Sequence, residues 1–391
     1  MSRRNKTIVA VVAIALGAVV IFLPVIPGQT EMSLNRVVQG PPYRASARAA
    51  ELHRTLVIAD LHADTLLWDR DLLTRGRLGH VDVPRLVEGN TALQAFTVVT
   101  KVPRGMNIDR NDGDSDAVLP LVIAQRWPPR TWWSLKERAL HQARRLDRAA
   151  ARSGGTLSVI RSARDLQDYL ERRRTNPGTT AGFLGIEGAQ ALEAGAKDLD
   201  VMFDAGFRMM SMTHFFDTFA GGSASGEAKA GLTGAGLAIL RRMESRGMIV
   251  DLAHASPALV DDILTAAMRP VVVSHTGVTA TCDNNRNLTD AQLRRIAANG
   301  GVVGIGYFEA AVCETSAASI ARAIRHTADV AGIEHVALGS DFDGATVTPF
   351  DASGLVQITE ALLAEGFSDQ EVRLIMGGNV VSLLRRLLPR S

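Results

Sequence analysis

The sequence predicts an α/β fold in which eight parallel strands close into a (β/α)8 TIM barrel. Two observations carry that expectation. Short apolar, β-branched runs alternate with amphipathic helical segments through most of the 391 residues, as in repeated βα units. Six of those runs also end in a histidine or an acid, and in a barrel the C-terminal ends of all strands open on one mouth. A doubly wound open sheet is the rival. Against it, no G-x-G-x-x-G follows the first run, and the ionisable residues do not gather at one switch point. Length alone would suit two or three average domains, but a barrel uses much of such a length as one unit.

Read in order, the chain opens with Arg3, Arg4 and Lys6 ahead of an uncharged apolar run over 7–26, with no charge before Glu31. About 20 residues are enough to span a bilayer and exceed the ~7–15 of a secretory h-region. The run ends in "LPVIPGQTE", which lacks a small-x-small cleavage site, and no N-terminal cysteine is present to take a lipid. These features predict a signal anchor in residues 1–30, a transmembrane helix with its basic flank cytoplasmic, and residues 31–391 as an extracytoplasmic barrel. Secretion after signal cleavage is the alternative. Residues 31–45 read as a tether into a helix at 46–54.

Strands follow at 55–60, 92–99, 181–186, 208–213, 248–252, 270–274, 301–307 and 336–339. Helices at 234–246, 257–267, 290–299, 317–332 and 352–366 separate the later ones, and "SDQE" at 368–371 is a capping box opening the last helix. Residues 101–176 are far too many for a loop. "TWWSLKERALHQARRLDRAAA" within them reads as helix, so a helical insertion after strand two is expected over the barrel mouth, with Trp127, Trp132 and Trp133 as packing residues. The net charge is +2 with basic residues scattered, which excludes a nucleic-acid surface. In an exported chain two cysteines, Cys282 and Cys313, invite a bridge, with two unpaired buried thiols as the alternative.

The unusual residues fall at strand ends. In "VIADLHADTLLW" the first strand runs into Asp60, His62 and Asp64; Glu187 ends the third, His214 the fourth, His254 the fifth, His275 the sixth and Asp341 the eighth. Any one of them alone is more readily a hydrogen-bonded structural residue or a turn acid. Four of only nine histidines at strand ends is a different matter, and the convergence predicts a metal site. Residues two apart in a strand share a face, so His62 and Asp64 reach one cation, with Asp60 deeper as an orienting acceptor. His254 and His275, on adjacent strands, hold a second cation, and Glu187 has two oxygens with which to bridge. Imidazole and carboxylate together suit Zn²⁺, with Mn²⁺, Co²⁺ and Fe²⁺ chemically compatible. Two ions roughly 3.5–4 Å apart would clamp a hydroxide and polarise a carbonyl.

The motifs "DLHADTLLW", "GIEGAQAL", "MTHF", "VDLAHAS", "SHTG…CDNNRN" and "GSDFDG" together resemble those of the membrane dipeptidase (renal dipeptidase, M19 peptidase) family, in family order from about residue 55 to 385. Single motifs such as H-x-D would suggest only the wider metal-dependent amidohydrolase superfamily. The resemblance implies a dipeptidase with two Zn²⁺ ions, His62 and Asp64 on one, His254 and His275 on the other, and Glu187 bridging. It implies that His214 contacts the substrate at the scissile group, that Arg286 meets the substrate carboxylate or the tetrahedral intermediate, and that Asp341 is the acid/base. It also implies a Cys282–Cys313 disulfide. Asn285 departs from the pattern, since relatives often carry a second arginine there.

The expected reaction is hydrolysis of dipeptides with a free C-terminal carboxylate, L-Xaa-D-Xaa pairs among the candidates, by attack of a metal-bridging hydroxide. Expected partners are the small dipeptide and, through the anchor, the membrane, with no nucleic acid; a homodimer is compatible with the sequence. Another amidohydrolase (lactonase, deaminase or phosphotriesterase) would share the metal cage without needing Arg286. A non-catalytic receptor would show a broken ligand set, and a purely structural metal site would be coordinatively closed.

Overall fold

A barrel requires its last strand to pair with its first. The computed structural model describes residues 25–391, and the barrel strands are β1 (Ile58–Ala63), β2 (Thr91–Phe96), β3 (Thr180–Ile186), β4 (Phe207–Ser211), β5 (Ile249–Asp251), β6 (Val272–Thr276), β7 (Val302–Ile305) and β8 (Val336–Leu338). They pair in chain order, all parallel, and β8 closes on β1 where Leu338 lies opposite Asp60. The chain is a (β/α)8 barrel. Parallel strands covered on both faces need apolar side chains on both, and every residue of β1, β2 and β3 is buried. One apolar layer takes Ala59, Leu61, Leu93, Phe183, Met209, Ile249, Val272, Val302 and Ala337. Drawn from all eight strands, it fills the lumen, where Val380 and Leu384 of the last helix join it. A second layer packs Leu184, Val250, Val273 and Leu338 against Leu240, Ile263, Ile296 and Ile320 of the surrounding helices.

The helices start where the sequence places caps. Ser46 caps Ala47–Arg54, Ser256 caps Pro257–Ala266, and Thr289, Ser316 and Ser368 each close a capping box. The helix Gly234–Arg246 has the bounds the sequence predicts and ends on Gly247 in the left-handed conformation. Predicted and observed strand ends differ by up to three residues: β1 extends past Asp60 to Ala63, β6 reaches Thr276, and β7 stops at Ile305.

Three expectations need correction. The insertion between β2 and β3 is not wholly helical. Among its helices Val118–Ala124, Leu135–Arg152 and Ala163–Thr175, the last two are separated by a three-residue strand, Leu157–Val159, which pairs with Thr180–Gly182 of β3 just before β4 takes over that edge at Leu184. Of its tryptophans, Trp127 is buried and Trp132 is half-buried against the same apolar cluster, whereas Trp133 is 74% exposed and packs little. Residues 31–45 are not a free tether. A helix, α1 (Val25–Leu34), crosses the expected boundary at residue 30, and Arg36–Val37 pairs in parallel with Val347–Thr348. Among the described residues no helix is long and apolar enough to cross a membrane. The expected anchor over 7–26 lies, except for its last two residues, outside the described residues. Cys282 and Cys313 form a disulfide, Cα to Cα 5.3 Å, as the resemblance implied.

Candidate metal centre

The barrel brings all the strand-end residues to one place. His62 lies in the last turn of pairing of β1, and Asp64 follows it. Glu187 directly follows β3, His275 lies within β6, and His214, His254 and Asp341 stand three residues beyond β4, β5 and β8. All are buried, Asp341 the least at 8% exposure. Glu187 is the hub. Its Oε1 lies 3.3 Å from His62 Nε2, 3.4 Å from His254 Nε2 and 3.8 Å from His275 Nε2, while Oε2 lies 3.0 Å from His214 Nε2. His62 Nε2 also faces Asp64 at 3.6 Å and Asp341 at 3.9 Å.

Three overlapping groups each bring ligand atoms within 4.8 Å of one another: His62, Glu187 and His275; Glu187, His214 and His254; and His62, Asp64 and Asp341. The expected division into His62–Asp64 and His254–His275 pairs is therefore less clean than the sequence suggests. His214, expected only to meet substrate, stands within the cage itself.

The donor set fits a cation. His62 Nε2 and Glu187 Oε2 are fully buried and have no hydrogen-bond partner among the described residues. His254 and His275 turn their Nε2 atoms on each other at 2.9 Å. Burial holds both of these imidazoles well below the ordinary histidine range, with Arg286 adding to the effect on His254 and His62 to that on His275. Burial thus favours the neutral rings, whose lone pairs can serve a cation. Burial works to lower His62 as well, but Glu187 and Asp64 outweigh it and raise that ring to about 10, which measures this cage's demand for positive charge. Burial would raise Glu187, yet His214 and His62 hold it well below the usual carboxylate range. Asp341 goes the other way: burial lifts its carboxyl well above that range, with Asp64 and Glu187 adding to the rise against His62.

Residues that the sequence did not single out orient the cage. Ser274 Oγ lies 3.0 Å from the Nδ1 atoms of both His62 and His275, whose rings meet at a tilt of 50° with centroids 3.7 Å apart. A hydroxyl oxygen accepts two hydrogen bonds, so both rings can be protonated on Nδ1 and both Nε2 lone pairs can face inward, while Asp251 holds Ser274 in place by accepting from its backbone amide. Thr97 Oγ1 donates to Asp64 Oδ1 at 2.6 Å. Asp60 does not join the cage. A register shift between Asp60 and Ala63 interrupts the alternation, and Asp60 accepts from the His62 amide, Gln94 and the Ser340 amide. It fixes backbone, as an orienting acceptor would.

His254 and Asp341 both adopt left-handed backbone, φ 64° and 60°. Such conformations cost roughly 1–3 kcal/mol each in non-glycine residues and persist where the surroundings hold them, often at functional sites. Gly344 supports the second: a Cβ there would stand 2.0 Å from Asp341 Oδ1, so only glycine leaves room for that carboxyl. Arg286 is buried behind His275, donating from Nη2 to its carbonyl oxygen at 3.0 Å, and among the described residues no carboxylate lies within ion-pair distance of it. Its neighbour Asn285 donates to the Ala224 carbonyl. A cavity of about 380 Å³ opens on the cage, lined by Asp64, Glu187, His214, His254, His275 and Asp341 on one side. Leu67, Trp68, Val118, Leu121 and Phe215 make up much of the rest.

A (β/α)8 barrel whose mouth holds imidazoles around a central carboxylate, beside an open cavity, defines a metallohydrolase. The family model for membrane dipeptidase (peptidase family M19) matches residues 46–387, and the chain belongs to that family. It is a metallo-dipeptidase. Over 335 residues it is 28% identical to the dipeptidase tcpJ of Claviceps purpurea, covering 82% of this chain and 72% of that one. A metallopeptidase from Rhodobacter sphaeroides, crystallised with a phosphinate mimic of the dipeptide L-Ala-D-Ala, superposes with a TM-score of 0.66 at 25% identity, covering 85% of this chain and 99% of the other. The probable dipeptidase PvdM from Pseudomonas aeruginosa shares the fold, with a TM-score of 0.73 at 18% identity and coverage of 88% and 98%.

Proposed function

We propose that this enzyme is a binuclear zinc dipeptidase that cleaves dipeptides bearing a free C-terminal carboxylate, L-Xaa-D-Xaa pairs among them. One observation carries the reading: Glu187 Oε1 lies within 3.8 Å of the Nε2 atoms of His62, His254 and His275, the imidazoles of both proposed cation positions, as a carboxylate shared between them would. His62 and Asp64 would hold one ion and His254 and His275 the other, with Glu187 common to both. Zinc suits this nitrogen and oxygen set. Bound there, the ions would supply Lewis-acid polarisation of the scissile carbonyl and a water acidic enough to react near neutral pH.

The chain's own residues do the rest. His214, at the edge of the cavity, donates toward the carbonyl oxygen as charge develops on it. Asp341 carries the proton from the attacking water to the leaving nitrogen. Arg286, a buried guanidinium without a carboxylate of its own, takes the substrate's C-terminal carboxylate. A cavity of about 380 Å³ is large enough to take a dipeptide. Acceptance of a D-residue is supported by the Rhodobacter sphaeroides relative, which binds a mimic of L-Ala-D-Ala. The apolar run over 7–26, behind its basic flank, supports a membrane anchor with the barrel extracytoplasmic.

The deciding experiment compares a dipeptide with its C-terminal amide on metal-loaded enzyme. Amidation is expected to reduce kcat/KM at least about a hundredfold, because it leaves a buried arginine unpaired, at a cost of roughly 3 kcal/mol or more. Equal rates on the two would remove the dipeptidase specificity and favour another amidohydrolase. A second expectation concerns Ser274. Ser274→Ala frees the Nδ1 atoms of His62 and His275 to change tautomer, so metal affinity should fall about 10–100-fold, the usual scale for losing an orienting partner of a ligand. Competition with a chelator buffer reads this directly, and unchanged affinity would rule the role out.

A further inference from the structure

Helix α1 lies outside the stretch matched by the family model, which begins at residue 46, yet it reaches the active-site cavity. Thr30 and Leu34 line the same cavity as Asp64, Glu187 and Asp341, across from the apolar side chains of the barrel mouth. The helix is also fastened there. Glu31 is 4% exposed, and its Oε1 meets Arg70 Nε at 2.6 Å. Arg70 Nη2 in turn meets Asp343 Oδ2 at 2.6 Å, and Arg70 Nη1 donates to the Val81 carbonyl. Asp343 follows Asp341 by two residues and is itself held by Thr65 and the His80 amide.

The far end of the helix is stitched to the same loop. Arg36–Val37 pairs with Val347–Thr348, and the amides of Val38 and Gln39 donate to the carbonyls of Thr348 and Pro349. The 25–39 segment is thus tied to the stretch that begins at Asp341 twice, at its middle through Glu31 and Arg70 and at its C-terminal end through residues 36–39. A segment held this firmly, presenting two side chains to the cavity, is part of its wall.

We propose that α1 is the outer wall of the substrate pocket, with Leu34 and Thr30 setting the size of dipeptide side chain accepted and Glu31 the positioning residue that fastens the wall through Arg70. The inference rests on the dipeptidase reading and adds a specificity element to it. Leu34 is 38% exposed and contributes little to the core, so its replacement changes the cavity without endangering the fold. Leu34→Ala enlarges the pocket and Leu34→Trp narrows it.

The test uses the full-length, metal-loaded chain and a panel running from Ala-Ala through Leu-Ala and Ala-Leu to Phe-Ala and Ala-Phe. In Leu34→Ala the ratio of kcat/KM for the bulkiest accepted dipeptide to that for Ala-Ala is expected to rise roughly tenfold, the scale of a few methylenes in an apolar pocket. In Leu34→Trp it is expected to fall by a similar factor. Glu31→Gln, which loosens the wall from behind, is expected to raise KM for Ala-Ala several-fold while kcat changes less. A size ratio unmoved in both Leu34 variants, in an enzyme that does cleave the panel, overturns the wall and leaves the dipeptidase reading intact. An unmoved KM in Glu31→Gln overturns the positioning role. Failure of the wild-type enzyme to cleave any member overturns both readings together.

Discussion

Glu187→Gln is expected to strip the site of at least one of the two cations proposed for it and to reduce kcat by roughly 10⁴-fold, the scale on which a group acting as one unit with its neighbours is lost. The substitution is nearly isosteric, so the barrel should fold. What changes is the hub. Oε1 now faces three imidazoles and Oε2 a fourth, and an amide offers only one of those positions as an acceptor. With its NH₂ in the Oε1 position it meets the ring nitrogens of His62, His254 and His275, whose lone pairs the cations need, and with the NH₂ in the other it removes the acceptor facing His214. The electrostatics shift in the same direction. Against the opposing pull of burial, Glu187 does most to raise His62, and without its charge the demand of the cage for positive charge falls. Metal content by atomic emission and steady-state kinetics on one dipeptide check the two halves of this expectation. Two ions per chain with near-normal turnover in the variant would remove Glu187 from the centre of the site.

The ligand residues are legible in the sequence because they violate a strong local pattern. A strand covered on both faces should be apolar, and an acid or histidine at its end therefore stands out; five such breaks in "LHAD", "GIEG", "MTHF", "LAHA" and "VSHT" lead to His62, Asp64, Glu187, His214, His254 and His275. Ser274, Asp251 and Thr97 carry no such signal. Serine and threonine are ordinary strand residues, and what Ser274 does depends on two rings, one of them supplied 212 residues away in the chain. The short strand Leu157–Val159 is invisible for a different reason. Three residues cannot establish a period of two, and its pairing partner is the start of β3 rather than anything nearby in sequence. The wall function of α1 is also hidden. "VIPGQTEMSL" contains a proline and a glycine, has no apolar stripe, and is helical through contacts such as that of Glu31 with Arg70, which no local reading shows. The fold class, in contrast, follows from repetition: eight βα units state the same thing eight times.

Asp341→Asn separates proton transfer from metal binding. Asparagine has the same shape, and the space beside Gly344 that admits the wild-type carboxyl admits the amide. Asp341 stands 3.9 Å from His62 Nε2, farther than Glu187 or Asp64. Losing its charge should therefore leave both proposed cations in place. What is lost is a group able to accept a proton from water and return it to nitrogen, and kcat is expected to drop about 10²–10⁴-fold, the usual contribution of a positioned acid/base. The pH profile provides the sharper check. Burial raises the Asp341 carboxyl, so in the wild-type enzyme protonation of that group on acidification should remove the base and produce an acid limb in kcat; cations bound nearby would move the limb to lower pH without abolishing it. The asparagine variant has no carboxyl to protonate, so its residual activity should lack that limb while its metal content stays at two. A variant that keeps the limb, or that loses metal in step with activity, would show that Asp341 serves the cage as a ligand and that the proton moves through another residue, with His214, which also faces the cavity and is not assigned to a cation, the first to test.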